Sequence, residues 1–273
     1  MSWSPVAAEA YSCFRAHVEA GGAGGTGGAD GTGAGGDGPG ADGTDAPAWL
    51  VQTAAALFDG QGAEAAESWA RRVFEQVARL EGRIPLSVVH DWQVRTVLPV
   101  LEAASVRRGG TGAELEAVRG LHERALAGGR ATEGEWAAAL EPALREVYRL
   151  AYAYADAFAT AAANARAYAA ANDYGEQKTA EFAEYYAKLN TGANARSFAD
   201  AHALANSRAL AAAYAGADAR AYTEAYPGAY VHAYALAEAN REVADGQEDE
   251  RRRAAYGRLA EGLADSLARA AVA

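Results

Sequence analysis

Apolar residues recur at helical spacing along most of the chain. Val6, Ala10, Tyr11, Phe14 and Val18 follow Ser4-Pro5, which reads as an N-cap with proline at the first helical position, and they predict a helix over about 4–20. Trp49, Leu50 and Leu57 predict a second over about 47–58, stopped by Gly60. Trp69, Val73, Phe74, Val77 and Leu80 predict a third over about 63–80. Val88, Val89, Trp92, Val97, Leu98 and Leu101 mark a fourth from near Ser87 to about Val106, kinked near Pro99. Leu115, Val118, Leu121 and Leu126 mark a fifth over about 113–127, ending at Gly128-Gly129. Loops this short favour antiparallel neighbours, so 48–130 is expected to form an amphipathic helical bundle. Tyr256, Leu259, Leu263 and Leu267 predict a closing amphipathic helix over about 247–271, within a C-terminal unit of 246–273.

Between these lies a region of different character, 131–245. Thr132 and Glu135 form a capping-box signature, and Trp136, Leu140, Leu144, Val147 and Leu150 follow it. Alanine then occupies every odd position from Ala151 to Ala171. It does so again from Ala193 to Ala239, except at Ser197, Ser207, Thr223, Pro227 and Val231. From Glu181 the chain divides into blocks of twelve: EFAEYYAKLNTG, ANARSFADAHAL, ANSRALAAAYAG, ADARAYTEAYPG and AYVHAYALAEAN. This is an internal repeat.

Two structures compete for it. Strict alternation is a strand pattern, and a β-solenoid of twelve-residue coils over about 181–240 would put glycines at its corners. It would also stack Arg196, Arg208 and Arg220 at about 4.8 Å, a like-charge ladder. Alanine is instead the best helix former, and helical spacing runs from the capping box through Leu150 up to the alternation. The reading adopted is therefore all-α. Breaks are expected at Asn172 to Gly175, Leu189 to Gly192 and Pro227-Gly228. They give helices of about 133–171, 176–189, 193–226 and 229–245.

Residues 21–47 read as a disordered linker, because glycine and aspartate dominate and no apolar anchor could offset the ordering entropy. A calcium-binding repeat would need a nine-residue period with an apolar position, which this segment lacks.

The formal net charge is −11, which argues against nucleic acid as a partner. A lone cysteine, Cys13, excludes an intrachain disulfide and a multi-cysteine metal site. No run of about 20 apolar residues is present and the N-terminus lacks a signal-peptide pattern, so neither a membrane span nor export is expected; the cytoplasm is the default compartment.

Candidate chemistry is sparse. The five histidines, His17, His90, His122, His202 and His232, include no pair at i,i+3 or i,i+4, and no metal motif or cofactor motif occurs. His90-Asp91-Trp92 reads as a helix start with a core tryptophan, not as a base beside a carboxylate, because adjacent helical residues face apart. Glu184–Lys188, Arg196–Asp200 and Arg220–Glu224 read as surface pairs. Tyr222, Tyr226, Tyr230 and Tyr234 recur every four residues, as aromatic knobs for alanine holes.

The leading expectation is a non-catalytic helical protein that presents its surfaces to itself or to a protein partner. The alternative is a helical-bundle binder or enzyme, with Tyr222, Tyr226, His202, His232 and Arg220 lining a pocket beside the 48–130 bundle.

Overall fold

The structure, a computed structural model, describes residues 11–19, 46–151, 154–241 and 246–272. The fold is all-α, and no strand occurs among the described residues, which removes the β-solenoid alternative. The linker expected at 21–47 lies outside the described residues except for its last two.

Residues 11–19 form the described part of α1. Then follow α2 (Ala48–Asp59), α3 (Ala63–Arg79), α4 (Ser87–Trp92), α5 (Leu98–Arg107), α6 (Ala113–Leu126), α7 (Glu133–Ala151), α8 (Tyr154–Ala171), α9 (Glu176–Gly216), α10 (Ala219–Glu224), α11 (Pro227–Ala239) and α12 (Glu248–Ala270). One core runs from Phe14 to Leu267 and takes side chains from both the bundle helices and the repeat region. Trp49, Trp69, Trp92 and Trp136 are its largest fully buried members.

The last helix is pinned by two of them. Trp69 Nε1 donates to the Ala260 carbonyl at 2.7 Å and Trp92 Nε1 to the Leu259 carbonyl at 2.9 Å. Gly262 allows α12 to close on α4 and on the π turn that follows it (Gln93–Val97), since a Cβ there would meet the Thr96 side chain 2.1 Å away. The kink expected near Pro99 takes the form of a π turn, Gln93–Val97, just before the proline. Proline lacks the N–H that would bond the Arg95 carbonyl, and a wider turn relieves that mismatch. The capping box forms as expected: the Glu135 N–H donates to Thr132 Oγ1 at 3.2 Å and the Thr132 N–H to Glu135 Oε2 at 2.8 Å.

In the repeat region three expected boundaries move. There is no break at Leu189 to Gly192; α9 runs unbroken for 41 residues, about 60 Å. Thr191 is fully buried and donates to the Ala187 carbonyl, so this step belongs to the helix interior. The helix expected over 193–226 instead ends at Ala217, which is left-handed at φ 49°. The Asp218 N–H bonds the Ala213 carbonyl and the Ala217 N–H the Tyr214 carbonyl, a Schellman motif. Asp218 then accepts from the N–H groups of Arg220 and Ala221 and starts α10. The third correction is at the end of α11, expected near 245. It stops at Ala239, where extended Asn240 turns its amide onto the Leu150 and Ala151 carbonyls of α7. The break at Pro227 is found where expected. Of the helix expected over 133–171, residues 152 and 153 lie outside the described ones.

The twelve-residue block acquires a structural meaning on α9. Its third, seventh and eleventh positions make a row four residues apart: Ala183, Ala187, Thr191, Ala199, Ala203, Ser207 and Ala211 are small and buried, and Ala215 ends the row half-buried. Four residues turn a helix by about 400°, so the row advances about 40° round α9 at each step. A single straight partner could not follow it. The N-terminal half of α9 packs on α8, and the C-terminal half on α7. The same columns of the last block, Val231, Ala235 and Ala239, are buried in α11.

Candidate functional site

The five residues that the sequence proposed as pocket lining, Tyr222, Tyr226, His202, His232 and Arg220, do not line the small cavity within the core. Tyr222 on α10 is buried, with its ring 6.0 Å from Trp49 and 5.7 Å from Tyr214. Tyr226 follows α10 in a left-handed turn and is 70% exposed. His202 on α9 packs beside Phe198 and Tyr148. His232 on α11 accepts from or donates to the Tyr256 hydroxyl at 2.5 Å. Arg220 pairs with Glu224 at 3.0 Å on the surface. Of the other surface pairs, Glu184–Lys188 forms at 2.6 Å, while Asp200 pairs with Arg145 of α7 instead of Arg196.

Two other features stand out. The first is a buried polar centre that the sequence reading missed. His90 on α4 and His122 on α6 approach Nδ1 to Nδ1 at 2.7 Å. Trp136 of α7 stacks on the His90 ring at 5.9 Å, and Tyr214 of α9 lies 5.1 Å from His122. Burial holds the His90 pKa down to about 4, and burial plus the neighbouring His90 pushes His122 well below the ordinary range. Both rings are therefore neutral, and one Nδ1–H donates to the other ring. Beside them, Gln93 is turned inward by the π turn and donates weakly to the Tyr234 hydroxyl at 3.4 Å. Burial also raises the Tyr214, Tyr222 and Tyr234 hydroxyls well above their ordinary range. The cavity among the buried residues Gln93, His122, Tyr214 and Tyr234 measures about 20 Å³. That is room for one water molecule and not for an organic substrate. Helical spacing carries the signal: Leu86, His90, Gln93 and Val97 share one face, as do Leu115, Val118 and His122.

The second feature is the hairpin of α8 and the first half of α9. Among the described residues its buried apolar side chains are all alanines, Ala161, Ala162, Ala165, Ala169, Ala183 and Ala187, with Phe158 half-buried against them. Its surface is aromatic. Tyr168, Tyr174, Phe182 and Tyr186 form one contiguous cluster, with ring centroids 5.5–6.4 Å apart. Tyr185 and Leu189 extend it and are 65% and 61% exposed. Among the described residues, seven of the eleven exposed large apolar side chains lie between Tyr168 and Leu204. Residues 154–198 carry five acidic and four basic side chains, a net charge of −1 against −11 for the chain.

Among the described residues no group of three or more His, Cys, Asp or Glu could hold a metal ion, and no helix is long and apolar enough to cross a membrane. Comparison with protein-family models, with curated proteins and with solved structures finds no match for this chain.

Proposed function

We propose that this protein works by docking, through the aromatic face of the α8–α9 hairpin, and that the surface it meets is the same hairpin of a second copy. The observation that carries this reading is the concentration of exposed aromatic rings on a hairpin of nearly balanced charge in a strongly acidic chain. Tyrosine gives large contact area at small entropic cost and is enriched at interfaces. A contiguous apolar cluster on a monomer surface marks an interaction site more often than a scatter of single residues does. The charge distribution selects the partner. Two bodies carrying the remaining −10 repel each other, whereas two hairpins at −1 approach freely. A two-fold axis through the hairpins places the same patch on both sides of the contact, as an isologous interface requires.

The test is the oligomeric state of the full chain by light scattering over a concentration series, at low and moderate salt. The expected result is a dimer that dissociates on dilution and is converted to monomer by Tyr185→Glu together with Leu189→Glu. Both side chains are exposed, so the pair leaves the fold intact, which circular dichroism checks. A wild-type chain that stays monomeric throughout overturns self-docking. A dimer unaffected by the pair moves the interface off the hairpin and overturns the site.

A further inference from the structure

We infer that the cavity beside the histidine pair is a binding site for one ordered water molecule, held by His122 Nε2 and the polar side chains around it. The argument is one of hydrogen-bond accounting. His122 is fully buried, its Nδ1 is engaged by His90, and its Nε2 has no protein partner. An Nδ1-to-Nδ1 bond between neutral rings requires one ring to carry its proton on Nδ1 and the other on Nε2. Whichever way the pair is arranged, His122 Nε2 is left either as a bare acceptor or as an N–H donor. A buried polar atom of either kind is costly without a partner.

The cavity supplies what a partner needs. His122 is one of its walls and His90 is not, and the Nδ1 edge of the His122 ring is already taken up by His90. Its volume of about 20 Å³ exceeds the roughly 10–15 Å³ that one water requires. The polar groups converging on it are Gln93, Tyr214 and Tyr234, and the Gln93–Tyr234 contact is long enough, at 3.4 Å, to leave both groups with bonding capacity. Water both donates and accepts, so it satisfies His122 in either tautomer. An apolar ligand of the same size does not, and the remaining walls, Leu98, Leu101, Leu115 and Leu140 among them, offer no competing polar group. Such a water ties the π turn, α6, α9 and α11 together at one point, because its four polar neighbours, Gln93, His122, Tyr214 and Tyr234, come one from each.

The experiment is a crystal structure of the wild-type chain with a matched crystal pressurised under xenon. The expected result is a density peak within hydrogen-bonding distance of His122 Nε2, and no xenon at that position. In solution the same water gives a long-residence cross-peak to the ring protons of His122, absent in His122→Phe. Xenon density in the cavity shows it to be dry and overturns the inference, and so does the absence of both the peak and the cross-peak. The readout is independent of the oligomeric state, so it stands or falls apart from the docking proposal.

Discussion

His90 and His122 are 32 positions apart in the chain, yet their Nδ1 atoms face each other at 2.7 Å in the core, with Trp136 stacked over one ring and Tyr214 against the other. Two imidazoles at that distance share a single proton, and a second proton would put a positive charge where no carboxylate faces it.

Stability should therefore depend on pH in a defined window. In the unfolded chain a histidine titrates near 6.5. In the folded chain His90 is held down to about 4, and His122 well below its ordinary value. Below about 6.5 the unfolded state binds protons that the native state refuses, so stability falls as pH falls towards about 4 and is regained as pH rises. The limiting slope is about 1.4 kcal/mol per pH unit for each histidine. Urea unfolding midpoints at a series of pH values measure it. His122→Gln, which does not titrate, should remove part of the slope between pH 6.5 and 5, above the range where carboxylates contribute. An unchanged slope in that variant would sink this account.

Gly262 sits inside α12, where alanine would ordinarily be worth about 1 kcal/mol more than glycine. Here a Cβ would meet Thr96 Oγ1 at 2.1 Å and Thr96 Cβ at 2.6 Å. Gly262→Ala should destabilise the chain by about 1–3 kcal/mol, against its helix propensity. Thr96→Gly in the same chain should recover most of the loss, a coupling that a double-mutant cycle measures by denaturant unfolding.

Ala217 occupies the left-handed position of a Schellman motif at the end of α9, at φ 49°. The left-handed region costs a residue with a Cβ about 1 kcal/mol, and glycine escapes it. Ala217→Gly is expected to raise the thermal midpoint and Ala217→Val to lower it. Calorimetry reads both, and a destabilised glycine variant would show that the motif is not the one described.

The α8–α9 hairpin is held by alanine contacts, with Ala183 and Ala187 fully buried. Overpacking such a contact costs about 1–3 kcal/mol. Ala187→Leu should open the hairpin while leaving the Trp-rich body folded. Hydrogen exchange should lose protection within 158–192 and keep it in α12, because stability is local where the core is thin. Global unfolding in this variant would contradict the separate cores.

Much of the fold was readable from the chain. The bundle helices, the Thr132–Glu135 box and the start of α11 at Pro227 follow from side-chain period and capping chemistry. What was misread has a common cause. Asn190 to Gly192 has the composition of a stop, but Thr191 lies on the buried row and satisfies its hydroxyl on the Ala187 carbonyl, so packing overrides local preference. Ala217 and Asp218 are a stop and a start in adjacent residues, and the alanine alternation running through them hid it. The histidine pair was missed because metal motifs were sought along one helix, whereas His90 and His122 meet across two. Their places on the Leu86–Val97 and Leu115–His122 faces put both in the core before any coordinates are known.

Because three steps of four make one block of twelve, each block lengthens α9 by about 18 Å and turns it by about 120°. Adding or removing a whole block preserves the register of the buried alanines, yet it swings the tyrosine-bearing tip to a new compass bearing round the body. Reach and heading are thus geared to a single integer, and α8, which packs along the same half of α9, would have to gain matching length for the hairpin to stay paired.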